Sequence, residues 1–350
     1  MPSARFTVVS ILAALSDTGA TAIRPMSVGW FDNRAQFLRC EPNAGLGLNF
    51  SALTSITTNG CGMNENNTMN CGKLNFTTMH GLKVAAQATG TKVMIGVDFT
   101  SSACRVTHHP DKCPILAPGA AQEAYISSLV DFVRINRLDG VEVDYEEFGV
   151  GSPGDISARK LFSALLVKIK KALVSSSSKH ASAHGAELGV CLAANFNNPF
   201  VFVDAKVDGV LEAIDYYNVM SYVWSPTGDF QRAKSAVAAV QAAGFPKAKI
   251  NMGVSFYDHG GQDYCGLIRS CTNASCTHEC TKPSSNACNG KLFDGQDMQA
   301  AMGSWVAREG WGGVLIFQVN YDHDNLLLNA LGAGLAVGSR QREHQLQVAR

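Results

Sequence analysis

The chain has 350 residues, of which 46% are hydrophobic and 17% charged, the balance of a compact globular protein rather than a disordered one. Lysine plus arginine and aspartate plus glutamate both number 29, so no global field favours nucleic acid, an anionic membrane or a strongly charged substrate. Neutral ligands are expected, and the chain is expected to act as a monomer without a cofactor or a metal.

In chain order, the first element reads as an export signal over 1–22. Arg5 precedes the apolar run from Phe6 to Leu15, and Ala20-Thr21-Ala22 offers a cleavage site before Ile23. A buried first helix is the alternative; the run is too short to span a bilayer, and no later segment reaches the roughly 18 apolar residues a membrane helix needs. Short β-type runs then alternate with longer helical patterns. They predict strands over Met26–Phe31, Leu53–Thr58, Lys92–Asp98, Gly140–Tyr145, Glu187–Ala194, Ala213–Tyr222, Lys249–Phe256 and Gly313–Val319. Helical periodicity marks Ala120–Ile135 and Ile156–Val174, the latter with Leu161, Leu165, Ile169 and Leu173 at intervals of four. Eight strands with intervening helices predict an α/β fold, a (β/α)8 TIM barrel over 23–337. A doubly wound open sheet is the alternative, but it would more naturally carry a Gly-rich phosphate loop after an early strand. The stretch from Asp258 to Gly290 holds five cysteines and few apolar residues, and reads as a short disulfide-rich loop after strand seven. The polar tail over 338–350 lacks an apolar face and is expected to be disordered.

Eleven cysteines, mostly in polar stretches, indicate an oxidising compartment, secreted or lysosomal. Cys61 with Cys71 and Cys104 with Cys113 are expected local bridges, while spacing leaves the remaining connectivity open. Cys191 lies in the apolar run Leu188 to Ala194 and reads as a small buried hydrophobe. Sequons at Asn49, Asn66, Asn75 and Asn273 fall in loop-like sequence, as N-glycans require. Cys265, Cys271, Cys276, Cys280 and Cys288, with His278, offer a zinc alternative, which disulfides displace in an exported chain. His108-His109 and His259 lack a matching ligand set and read as loop residues.

The most informative segment is Asp139-Gly140-Val141-Glu142-Val143-Asp144-Tyr145-Glu146. Its period of two puts Glu142, Asp144 and Glu146 on one strand face and Val141, Val143 and Tyr145 on the other. Same-face neighbours lie roughly 6.6 Å apart, so three carboxylates cannot all ionise cheaply inside a protein. Glu146 comes last, at the carboxyl rim where barrel active sites sit, and a partly protonated acid there is what protonation of a glycosidic oxygen requires. A solvent-facing acidic strand or helix face is the alternative.

This segment resembles the D-G-x-D-x-D-x-E motif on strand four of glycoside hydrolase family 18, the chitinase-type family. Tyr216-Tyr217-Asn218-Val219-Met220-Ser221-Tyr222 resembles its strand-six signature, Met252-Gly253-Val254-Ser255-Phe256-Tyr257 its strand seven, and Gly312-Gly313-Val314-Leu315-Ile316-Phe317 its strand eight. Ser51 to Thr58, Asp98 and the cysteine-bearing loop after Tyr257 are similar to the di-N-acetylchitobiase branch. The resemblance implies hydrolysis of N-acetylglucosamine-containing oligosaccharides by substrate assistance. Glu146 would be acid and then base, Asp144 would orient the acetamido N–H, Glu142 would share a proton with Asp144, and Tyr222 would donate to the acetamido oxygen. Met220 would line the floor under the sugar. Trp30, Phe317 and Trp224 are candidate subsite walls, and Asp98 and Asn195 candidate partners for sugar hydroxyls. Three departures from the family pattern stand out: Glu142 for Asp, Val223 for Asp and Phe317 for Trp. They keep open a second class, a glycan-binding barrel with little or no turnover.

Overall fold

A computed structural model describes residues 25–32, 47–98, 113–144, 156–176, 185–192, 203–222 and 230–349. Its frame is a ring of eight parallel strands: β1 (Met26–Asp32), β2 (Ser55–Met63), β3 (Lys92–Asp98), β4 (Gly140–Asp144), β5 (Glu187–Leu192), β6 (Tyr216–Val219), β7 (Ile250–Ser255) and β8 (Gly313–Phe317). Each strand pairs with the next. β8 then returns to β1, where Val28 stands opposite both Leu315 and Ser55. Closure excludes the open sheet. The described helices are α1 (Phe76–Gln87), α2 (Ala120–Asn136), α3 (Ile156–Ser176), α4 (Val210–Ala213), α5 (Phe230–Ala242), α6 (Tyr264–Arg269), α7 (Ala274–Thr281), α8 (Gln296–Glu309) and α9 (Leu326–Val348).

Strand alternation divides the core into two layers. Val141 and Val143 of β4 and Leu188 and Val190 of β5 face outward, where Leu129 and Val133 of α2 and Leu165, Ile169 and Leu173 of α3 also pack. Burying one such aliphatic side chain stabilises the fold by roughly 1.5–3 kcal/mol, so the outward rows clamp helices to the ring. The inward positions form a separate small cluster containing Val28, Trp30, Met94, Cys191, Tyr216 and Met220. That inner layer is where polar residues intrude.

Four segments differ from the sequence reading. The strand expected over Ala213–Tyr222 is confined to Tyr216–Val219, with Ala213 closing α4 and Ser221 and Tyr222 in a turn. β2 runs to Met63, past the expected end at Thr58, although Asn59, Gly60 and Gly62 resemble strand breakers. Its register against β3 shifts between Thr58 and Cys61, with Gly60 at φ 128°, so a bulge carries the chain onward. The expected Cys61–Cys71 disulfide and an antiparallel pairing with Met69–Asn70 then hold the extension. Cys113 is also disulfide-bonded, while Cys104 lies outside the described residues.

The cysteine-rich connection after β7 is ordered into α6, α7 and a hairpin of Ala287–Cys288 with Lys291–Leu292. Asp263 and Asn273 cap the two helices through the Gly266 and Cys276 N–H groups. Helices of six and eight residues are too short for periodicity to reveal. Disulfides Cys271–Cys276 and Cys280–Cys288 brace them, and Cys265 is disulfide-bonded as well. Those sulfurs are therefore not thiolate ligands for zinc, although Cys271, Cys280 and Cys288 lie within 4.8 Å of one another.

The tail expected to be disordered instead continues α9 to Val348. Residues 340–347 are mostly strong helix formers such as Gln, Arg, Glu and Leu, so the segment needs no apolar face of its own to extend a packed helix. The packed part lies against α8 at very short range. A Cβ on Gly334 would sit 2.1 Å from the Ala300 carbonyl oxygen, and one on Gly338 equally close to that of Ser304. Gly334→Ala is expected to cost about 1–3 kcal/mol in urea unfolding. Gln345→Ala on the exposed last turn should stay within about 0.5 kcal/mol.

Candidate active site

The pleat of β4 turns its valines out and Glu142 and Asp144 in, as the ladder requires. Glu142 is fully buried at the barrel's centre. Its Oε1 accepts from Trp30 Nε1 at 2.7 Å, from Asn218 Nδ2 and from the Cys191 thiol at 3.3 Å. Its Oε2 accepts from Thr57 Oγ1 at 2.6 Å. Donors from β1, β2, β5 and β6 thus converge on one carboxyl group, and Asn251 of β7 extends the network by donating to Asn218 Oδ1 at 2.8 Å. Burial pushes the Glu142 carboxyl above its ordinary range, while the four donors favour the charged form and pull it back. Glu142 is sealed from solvent, so it acts on the pocket through the residues that hold it.

Asp144, one same-face step further along, is half-buried and opens into a pocket of about 290 Å³ shared with Trp30, Asn59, Asn70, Lys73 and Asp98. Asp98 stands opposite Asp144 in the β3–β4 register. Trp30 has two functions here: its indole lines the pocket and its N–H anchors Glu142.

Phe317 ends β8 among four other aromatic rings. Tyr222 stacks on it with centroids 5.7 Å apart, Trp30 lies tilted at 6.4 Å, and Tyr257 and Tyr321 approach edge-on at 6.4 and 6.5 Å. Such arrangements contribute about 0.5–1.5 kcal/mol per pair beyond area burial, so the smaller ring in this position is held firmly. Tyr222 reaches Phe317 because β7 carries Gly253, where a Cβ would lie 2.8 Å from the Tyr222 ring. Met220 is buried in the same inner cluster.

The structure thus brings together Glu142, Asp144, Asp98, Trp30, Tyr222, Met220 and Phe317. Glu146, Asn195, Trp224 and the substituted Val223 lie outside the described residues. Sequence reasoning missed Thr57, Cys191, Asn218 and Asn251. Each is a polar or thiol-bearing residue at an inward strand position, a signal readable only once strand registers are known. Cys191 keeps its thiol, as expected, but that thiol serves as a donor to Glu142 rather than as packing alone.

Asp294, just before α8, is buried, and burial pushes its carboxyl up to about 7. The Tyr257 hydroxyl is raised in turn by its own burial, by Tyr321 and by Asp294. The unfolded chain releases the Asp294 proton near 3.8 and the folded chain near 7, so between those values the folded state binds more protons. Stability contributed by this group is therefore present at low pH and lost as pH rises through that window. Urea unfolding across about pH 4 to 7 should show this fall, and Asp294→Asn should reduce its slope, leaving the share of the buried Asp322 carboxyl, which is also pushed up to about 7.

A closed barrel with a polar pocket and an aromatic cluster at the carboxyl ends of its strands has the architecture of a barrel enzyme or a ligand-binding relative of one. The model of Glycosyl hydrolases family 18 matches residues 28–322, and the chain belongs to that family. Among solved structures it is similar to a chitinase from Bacteroides thetaiotaomicron, with TM-score 0.66 and 16% identity over 89% of this chain and 97% of that one. It is also similar to a family GH18 chitinase from Cycas revoluta in complex with allosamidin, with TM-score 0.67 and 15% identity over 88% and 99%. The chitinase-like agglutinin RobpsCRA from Robinia pseudoacacia gives TM-score 0.67 and 13% identity over 88% and 98%. At these identities the likeness is one of fold. No curated protein matches the sequence. Among the described residues no helix is long and apolar enough to cross a membrane.

Proposed function

We infer that this chain is a retaining glycosidase that cleaves β-linked N-acetylglucosamine in chitin oligosaccharides or N-glycan cores, of chitinase or di-N-acetylchitobiase type. The observation that carries this reading is the buried Glu142, held by four donors one step below Asp144, beside the aromatic cluster around Phe317. The sugar's 2-acetamido oxygen attacks its own anomeric carbon, so the protein supplies no nucleophile. Glu146, two residues beyond Asp144 in sequence, gives its proton to the departing glycosidic oxygen. Asp144 accepts from the acetamido N–H and stabilises the developing positive charge, while Tyr222 donates to the acetamido oxygen. Water then opens the oxazolinium intermediate and returns a proton to Glu146. Glu142 fixes the charge state of the inward row beneath them.

The leader-like sequence over 1–22, the disulfides and the four sequons support export to a lysosomal or extracellular compartment, as a glycoprotein acting as a monomer. A second reading, a glycan-binding barrel with little or no turnover, draws on Phe317 in place of the family's Trp and on the agglutinin that shares the fold.

Turnover of a fluorogenic chitobioside or chitotrioside decides between them. The wild-type protein should hydrolyse it with the β anomer as first product, and Glu146→Gln should lower kcat by about 10²–10⁴ without altering circular dichroism. Binding without turnover by the wild type would leave the lectin reading standing.

A further inference from the structure

We propose that Asn66 and Asn273 carry N-linked glycans while the sequons at Asn49 and Asn75 stay bare, so that sugar covers two disulfide-closed excursions from the barrel. This rests on the export part of the reading above and is independent of what the pocket binds. The linkage fixes what a site must offer. An Nδ2–C1 bond forms as the C1–O bond of a lipid-pyrophosphate-linked oligosaccharide breaks; the lipid pyrophosphate leaves, and Nδ2 gives up one of its two protons. The carbonyl Oδ1 takes no part and can keep its hydrogen bonds. A folded chain therefore bears the bulky glycan where the residue is exposed and its Nδ2 makes no contact that the fold needs.

Asn66 meets both conditions. It lies in the turn of the hairpin that β2 forms with Met69–Asn70, closed by the Asn64 N–H donating to the Thr68 carbonyl at 2.8 Å. The third residue of the sequon fixes the amide: Thr68 Oγ1 donates to Asn66 Oδ1 at 2.7 Å, and the Thr68 N–H reaches the same oxygen at 3.3 Å. The carbonyl edge thus faces its own turn, while the residue is exposed and its Nδ2 has no partner among the described residues. Asn273 reaches the same state by another route. As the cap of α7 its Oδ1 accepts from the Cys276 N–H at 3.0 Å, the residue is exposed, and its Nδ2 is likewise without a partner among the described residues. Both acceptors lie inside loops closed by disulfides, Cys61–Cys71 and Cys271–Cys276.

The other two sequons are built into the fold. Asn49 commits its Nδ2 to Asn329 Oδ1 at 2.6 Å, and its backbone N–H donates to Asn325 Oδ1 at 2.8 Å, so a sugar there would work against the contacts that dock this segment on the start of α9. Asn75 is half-buried and caps α1 through the Thr78 N–H at 3.1 Å. The next residue, Phe76, packs against Phe132 of α2 with ring centroids 6.3 Å apart, so a glycan on Asn75 would crowd a helix junction. Exposed loops are the preferred sites of proteolytic nicking, and a glycan on each excursion covers backbone that burial does not protect.

The test expresses the full chain in a secreting eukaryotic host and releases its glycans with an amidase that converts each glycosylated Asn to Asp. Peptide mass spectrometry should then find Asp at Asn66 and Asn273 and unchanged Asn at Asn49 and Asn75. Thr68→Ala and Ser275→Ala should each remove one glycan from the intact mass, whereas Thr68→Ser, which keeps the hydroxyl, should retain it. Limited proteolysis checks the covering role without any variant: cutting between Cys61 and Cys71 and between Cys271 and Cys276 should rise several-fold once the folded protein is stripped of sugar. Conversion at Asn49 or Asn75, or its absence from Asn66 or Asn273, would overturn the assignment. A chain secreted without any glycan would overturn it while export stood, and a chain that stays inside the cell unglycosylated would remove the export reading and the sites with it.

Discussion

A carboxyl group sealed inside a protein is tolerated only when its surroundings replace the water it has lost, and Glu142 places that demand on the whole barrel. Its donors come from β1, β2, β5 and β6, and Asn251 ties in β7 through Asn218. No single supersecondary unit contains them. The ring must close, in one register, before the set converges, and closure depends on the outward valine and leucine rows that hold helices against the strands. Hydrophobic burial outside thus provides the geometry that makes a polar centre affordable inside. The extra methylene of Glu142, relative to the aspartate usual in the family, is accommodated within that same circle of partners.

Much of this was legible in the chain, and the reason is periodicity. Val141 and Val143 alternate with Glu142 and Asp144, and that pattern alone places acids inward and aliphatics outward. Leu165, Ile169 and Leu173 likewise declare the buried face of α3. Where periodicity stops, so does the reading. Asn59 and Gly60 looked like the end of a strand because a bulge carries turn residues, and the disulfide that sustains it belongs to tertiary structure. α6 and α7 are too short to show a period, and α9 runs on through residues whose helix propensity mattered more than their lack of an apolar stripe. Thr57, Cys191 and Asn218 are ordinary strand residues until three-dimensional register brings them to one carboxylate.

The Phe317 position shows how a departure from a family pattern is absorbed by its neighbours. A phenyl ring offers less surface to a sugar than an indole, but here it is enclosed by Trp30, Tyr222, Tyr257 and Tyr321. A platform gains precision from the rings that fix its orientation as well as from its own area. Gly253 belongs to the same device, since its missing side chain is the space that Tyr222 occupies. Under the glycosidase reading, the smaller ring at Phe317 would bear on how tightly a sugar is held more than on whether the ring is fixed in place.

Regular and irregular parts of the molecule consequently carry different duties. The eight strands set the inward row, and any change there propagates through a network in which one carboxylate has four donors. The bulged end of β2 and the disulfide-braced connection after β7 lie where the strands give way to irregular chain, and they shape what surrounds the inward row without sharing its hydrogen bonds. Cross-links suit that duty, because short segments with few apolar residues cannot hold a fixed wall by burial. The inward hydrogen-bond network and the pocket are thus built on structurally separable elements, joined at Asp144 and Trp30, the two residues that face both.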